Sequence, residues 1–295
     1  AAGFCDAALG TETRGSLMIP GFRNGVYSFK PTRGLVSRTG IIPLSSSFDA
    51  PGVLTRNPAL LKEVFLSMIG VDPADDQSFE LRSKESKPSR KRIILCVNRS
   101  LGEMELLQTE LRPFLAQLKL NGFEITFVDL PDVSFDYKTI SSADIRSDMA
   151  EFLQRFGSDN EPRSFEELVE RYRERPNAHL YGMERLEDAL AMPQIQKSDL
   201  KKLVQENVAK ARNLIDDILA HYNADFVGFL NFVDWFSIGG GPSCTLPVSF
   251  ETKPPISIML GARVGNDLAI LHLVKELSEI AKGAQHVEKL DNKAE

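Results

Sequence analysis

The 295 residues contain only three cysteines, Cys5, Cys96 and Cys244, an odd number set far apart. That spacing excludes a disulfide framework and a cysteine-built metal site, and free thiols in a reducing compartment are expected. No apolar run approaches the roughly 20 residues needed to cross a bilayer, and no charged-then-apolar leader opens the chain, so a cytoplasmic protein with no membrane partner is expected. Positive charge is in deficit, with 35 Lys and Arg against 41 Asp and Glu and a net charge of -6. A phosphate-binding surface needs clustered cations, so the expected partner is a small molecule and not a nucleic acid. Histidine is sparse as well. His179, His221, His272 and His286 fall on helix-like or tail segments, none of them near a candidate nucleophile, so a Ser-His-Asp triad is not indicated. The first residue is Ala and not Met, and the opening segment reads as the middle of a longer chain, so a fragment or a processed polypeptide is expected.

What is present suffices for a packed domain: 42% hydrophobic residues give a chain of this length a sizeable core. The first sixty residues are rich in Gly, Ser, Thr and Pro, which predicts loops and short strands, and the apolar spacing of Leu60, Leu61, Val64, Phe65 and Met68 predicts a helix over 57–69. The charged stretch 75–92 reads as a solvated excursion. Beyond it, a buried strand at 92–98, a helix at 103–120 and a strand at 122–130 predict a parallel crossover unit. Helical patterns at 144–190 and 198–222 are expected to cover a sheet, to which strands at 224–232, 243–250 and 256–260 also belong. Gly239 to Pro242 is expected to form the turn between the first two of these. A closing helix over 267–281 and a polar tail from Gly283 complete a mixed α/β order.

The stretch Gly10-Thr11-Glu12-Thr13-Arg14-Gly15-Ser16 packs small and hydroxylated residues together, which lets backbone amides converge on one oxygen. Such a stretch also suits a turn or a helix cap. Its continuation is more specific: Asn24-Gly25-Val26, Lys30-Pro31-Thr32-Arg33-Gly34, Ser37-Arg38-Thr39-Gly40 and Ser47-Phe48-Asp49-Ala50-Pro51-Gly52 follow in order. Together these segments resemble the amidase-signature family, and Pro242 to Val248 is similar to that family's Pro-X-X-Thr-X-Pro strand. The resemblance, nearest to the peptide-amidase-like branch, is strong to about Arg56, diffuse from Glu80 to Tyr222 and moderate from Asp225 to Lys282.

The resemblance implies an α/β/α sandwich around a mixed sheet whose N-terminal part is missing, with residues 1–282 as a partial amidase domain and 283–295 as the tail. It implies hydrolysis of a small-molecule carboxamide by Ser16 as nucleophile. Backbone amides of Thr13, Arg14 and Gly15, with Ser16 itself, would hold the oxyanion, and no metal or organic cofactor is needed. In the family a neutral Lys takes the nucleophile's proton through a bridging Ser, and both lie upstream of the nucleophile. Here none of the fifteen residues before Ser16 is Lys or Ser. An N-terminal segment or a partner chain is expected to supply both, and the chain alone is expected to be inactive. Ser28 and Lys30 match other family positions and are not given these roles.

Arg14 stands where the family has Gly or an acidic residue, and Met18, Pro20 and Gly21 alter the segment after the nucleophile. Phe229, Phe232, Trp235 and Phe236 form either core or the wall of an acyl pocket. Cys244 reads as a buried, inert thiol, and Gly239 to Gly241 as a turn and not a phosphate cradle. Two other functions remain open: a degenerate, non-catalytic binding protein, and the amidase component of a tRNA-dependent amidotransferase, whose resemblance implies Gly at the position of Arg14.

Overall fold

The computed structural model describes residues 1–81, 90–99, 102–175, 180, 182–252 and 254–291, and side chains as far as residue 284. Residues 82–89 of the charged excursion, His179 and the side chain of His286 lie outside what is described.

Eight strands form a single mixed sheet: β1 (Ala7–Glu12), β2 (Tyr27–Lys30), β3 (Ala50–Thr55), β4 (Arg92–Val97), β5 (Glu124–Asp129), β6 (Phe226–Phe229), β7 (Ser243–Ser249) and β8 (Ile256–Ala262). Their order across the sheet is β1-β3-β2-β7-β8-β6-β4-β5. β4 pairs in parallel with both β5 and β6, and every other pairing is antiparallel. The apolar run at 92–97 is buried on both faces: Ile93, Leu95 and Val97 join one core, Ile94 and Cys96 the other. Alternating side chains of one strand point to opposite faces, so a continuous apolar run needs cover on both.

That cover comes from helices α1 (Met18–Asn24), α2 (Pro58–Met68), α3 (Glu103–Gln108), α4 (Arg112–Leu120), α5 (Tyr137–Phe156), α6 (Phe165–Arg173), α7 (Glu184–Ala191), α8 (Lys197–His221), α9 (Trp235–Gly239) and α10 (Asp267–Asp291). Leu61 and Phe65 of α2, Phe114 and Leu118 of α4 and Leu273, Val274 and Leu277 of α10 pack into one core. Met18 of α1, Ile215 and Leu219 of α8 and Trp235 and Phe236 of α9 pack into the other. The sandwich expected from the sequence is present.

Local chemistry sets the boundaries. Asn57 caps α2, its side chain accepting from the Ala59 amide at 3.0 Å with Pro58 at the first turn, and Ser164 caps α6 through the Glu167 amide at 3.1 Å. The helix expected over 103–120 is two helices, broken between Gln108 and Arg112 where Pro113 opens α4. α10 continues to Asp291, ten residues past the expected end at Ala281. Gly239 to Pro242 does not join two neighbouring strands, because β8 lies between β6 and β7. It ends the short helix α9, with Gly240 left-handed at φ 76°. Among the described residues no helix is long and apolar enough to cross a membrane.

Candidate active site

Strand β1 is an edge strand, and the loop of interest leaves it at its inner end. Glu12 is the last residue of β1 and pairs with Ala50 of β3; Thr13 to Leu17 form the loop, and α1 starts at Met18 and packs on β2, β7 and β8. Three carboxylates from three parts of the chain hold this loop. Glu12, fully buried, accepts the Leu17 amide at 3.0 Å, the Met18 amide at 2.9 Å and the Ser237 hydroxyl at 2.8 Å. Asp49 accepts the Thr13 hydroxyl and also binds the amides of Leu44 and Ser45 at 2.8 and 2.9 Å. Asp234 takes the Arg14 Nε at 2.8 Å, and the Arg14 guanidinium lies over the Tyr137 ring at 4.9 Å.

Gly15 sits at φ 91°, and a Cβ there would lie 2.7 Å from Ile19 and 2.8 Å from the Phe232 ring. Only glycine meets both the backbone and the space requirement. Ser16 is exposed, Thr13 and Gly15 are buried, and Arg14 is exposed. Among the described residues nothing is bonded to the Ser16 hydroxyl, and no acceptor takes the backbone amides of Thr13, Arg14, Gly15 or Ser16. These are adjacent donors on a constrained loop beside an open hydroxyl, an arrangement able to receive a developing oxyanion.

The groups excluded from catalysis on sequence have other engagements. Ser28 is buried, with its hydroxyl 2.9 Å from that of Thr245 and its amide 2.8 Å from the same oxygen. The Lys30 ammonium is fully enclosed and donates to the carbonyls of Pro31 and Gly241; burial pulls its pKa down to about 8, with Glu12 acting in the opposite direction. Cys244 is buried and its thiol is pushed up by desolvation, so no thiolate is available near neutrality. Of the histidines with described side chains, His221 packs edge-on to Tyr222 and His272 is exposed on α10.

The aromatic wall divides. Phe229 and Phe236 are core, with Phe229 edge-on to Trp235 at 5.0 Å. Phe232 is half-buried against Gly15 and, with Arg14, Trp235, Asn98 and Asp132, lines a cleft of about 500 Å³ at the ends of β4 and β5. A larger cavity of about 950 Å³ lies between the 38–49 loop and α5, lined by Arg38, Asp49, Asp148, Phe152 and Phe156 among others. Ser16 lines neither. Asp49 and Asp234 escaped sequence reasoning as loop-holding groups because the residues they bind are 36 and 220 positions away. The only signal for Asp49 was its place in the Ser47 to Gly52 segment.

Residues 1–238 match the family model described as Amidase. Among curated proteins, the A-subunit of the mitochondrial glutamyl-tRNA(Gln) amidotransferase of Aedes aegypti is 27% identical over 320 residues, covering 96% of this chain and 65% of that protein. Its counterpart in Ornithorhynchus anatinus is 36% identical over 161 residues, covering 50% of this chain and 30% of that protein. Among solved structures, the native peptide amidase from Stenotrophomonas maltophilia superposes with a TM-score of 0.81 at 22% identity, over 95% of this chain and 63% of that one. An amidase family protein from Bacillus anthracis str. Ames gives a TM-score of 0.81 at 21% identity, over 95% and 57%. The chain spans less than two thirds of the length of each of these four proteins. The likeness to the solved structures is one of fold.

Proposed function

The chain belongs to the amidase family, and from that premise we propose that it hydrolyses a small-molecule carboxamide with Ser16 as nucleophile. The observation that carries this reading is the pairing of an exposed Ser16 hydroxyl with the amides at residues 13–16, all without a partner among the described residues, on a loop held by Glu12, Asp49 and Asp234. Attack on the amide carbonyl would place the oxyanion against these amides, the amine would leave, and water would release the acid. The proton of Ser16 needs a base. Lys30 and Ser28 are committed elsewhere, which supports assigning the base and a bridging hydroxyl to a Lys and a Ser outside these 295 residues.

A second reading, the amidase component of a tRNA-dependent amidotransferase, is favoured by the similarity to the Aedes aegypti amidotransferase protein over 96% of this chain. Arg14, at a position where that resemblance implies Gly, weighs against it. The test is a fluorophosphonate probe followed by intact mass. The chain alone is expected to stay unlabelled, and to become labelled, in a manner abolished by Ser16→Ala, once a polypeptide carrying the Lys and bridging Ser is added. Labelling of the isolated chain that depends on Ser16 would place the base within it. No labelling under either condition would leave a degenerate binding protein. Glutamine-dependent ammonia release with a co-purifying partner would select the second reading.

A further inference from the structure

Helix α1 starts without help from its own sequence: Leu17 at the N-cap offers no side-chain acceptor, and its first turn holds no acidic residue. The amides of Leu17 and Met18 at this end are nevertheless engaged, both by one oxygen of the buried Glu12 carboxylate, five and six residues upstream. The other oxygen accepts from Ser237 of α9, so the same group also ties the loop to that helix. Lys30, whose charge the carboxylate feels, donates instead to the carbonyls of Pro31 and Gly241.

Glu12 thereby splits the consecutive amide donors of residues 13–18 into two sets. The amides of Leu17 and Met18 are turned inward and capped, and those of Thr13, Arg14, Gly15 and Ser16 are left without an acceptor among the described residues. Without this cap the first amides of α1 would be two more unsatisfied donors beside the hydroxyl, competing for the same oxygen or for water. We infer that Glu12 is the positioning residue of the nucleophile loop, closing residues 13–16 across its carboxylate so that the amides at 13–16, and not those of Leu17 and Met18, remain to bind an oxyanion. The inference rests on Ser16 as the nucleophile, and it assigns Glu12 no contact with substrate. What matters in it is acceptor geometry. A Gln at this position can keep its carbonyl on the two amides and donate its NH2 to the Ser237 oxygen, whereas Leu offers no acceptor.

Hydrogen exchange of the amides at 13–18 is the first readout, since it does not require Ser16 to react. In Glu12→Leu, exchange at residues 17 and 18 is expected to rise on the order of tenfold or more, as for a buried charge-assisted hydrogen bond removed, while Glu12→Gln stays close to wild type. The second readout is the rate of fluorophosphonate labelling at Ser16 under whichever condition labels the wild type, expected to fall in the Leu variant and to be rescued in the Gln variant. Unchanged exchange in Glu12→Leu would overturn the inference, as would a Gln variant that exchanges as fast as Leu, because charge opposite Lys30 would then be what counts. Should the Leu variant not fold, Glu12→Asp takes its place: its arm is one methylene shorter, so faster exchange supports the inference and unchanged exchange overturns it. A wild type that never labels would count against Ser16 as nucleophile, while the exchange data would still decide the role of Glu12.

Discussion

At the antiparallel end of the sheet, where β1, β3 and β2 lie together, the charged side chains and most of the hydroxylated ones are buried and hydrogen-bonded inside the fold. At the parallel end, formed by β4 and β5, they sit on the rim and pair with one another in water. Glu12, Lys30, Thr32 and Asp49 are all at or below 7% exposure. Arg92 with Glu124 and Arg99 with Asp129 pair with side chains 30%/67% and 70%/73% exposed. A buried polar group must find its own acceptor or donor, so its residue type is fixed one position at a time. Apolar positions in β4 need only the right volume and face, and rim pairs contribute little. This contrast accounts for a sequence resemblance that is dense up to Arg56 and diffuse through the β4–β5 unit while the fold continues across both.

The sharpest way to break the comparison is Asp267→Ala. Asp267 is fully buried and accepts the Thr32 amide at 2.7 Å and the Thr32 hydroxyl at 2.6 Å, tying the start of α10 to the segment after β2. Removing it strands two buried donors, and urea denaturation is expected to report a loss on the order of 3–5 kcal/mol. In the parallel end, Leu95→Ala should cost about 3 kcal/mol by leaving a cavity, but Leu95→Met less than about 1.5 kcal/mol. A Met variant as damaging as Asp267→Ala would show that the parallel end is specified as tightly as the antiparallel one.

A smaller effect, dependent on pH, is expected at Asp148 on α5, which binds the Ser46 amide at 2.6 Å. Burial first, then the neighbouring Asp144 and Asp49, raise its pKa to about 6, against the lowering pull of its hydrogen bonds from Ser46. A carboxylate raised in the folded state contributes stability that is fully present below its ordinary value of 3.8 and lost as pH rises through about 6. Melting curves of wild type and Asp148→Asn should therefore lie closest at about pH 4 and separate in favour of the variant above about pH 6. Curves that stay parallel across this range would show that Asp148 carries no such linkage. The smallest effect belongs to the rim: Arg92→Ala should cost no more than about 1 kcal/mol, and the cost should shrink further in about 1 M salt. A larger cost, insensitive to salt, would remove the distinction between the two ends.

Much of the candidate loop was legible in the sequence, and for identifiable reasons. Gly15 could be placed in a loop because its neighbours are small and hydroxylated, and the order of segments from Gly10 to Gly52 carried the family before any coordinate did. The crossover from β4 to β5 was legible because two apolar runs flank a helical period. What escaped was local where elements break and long-range where side chains meet. Helix α9 is five residues long and hidden in an apolar stretch with no periodic signal, and the break between α3 and α4 was masked by continuous helical spacing. The Thr13–Asp49 and Arg14–Asp234 bonds join positions whose proximity no pattern along the chain encodes.

By itself the sequence determined the alternation of strands and helices, the two-sided burial of β4, the small-residue loop before Ser16 and the absence of a Lys or Ser among the fifteen residues ahead of it. These follow from side-chain period, steric allowance and composition, which are properties of neighbours along the chain. Only the tertiary structure decided that β8 separates β6 from β7, that Lys30 and Ser28 are enclosed and committed elsewhere, and that Glu12, Asp49 and Asp234 converge on one loop. The physical reason is that a buried charge or donor chooses its partner by distance in space and by the cost of going unpaired, and neither quantity exists until the sheet has closed and water has left.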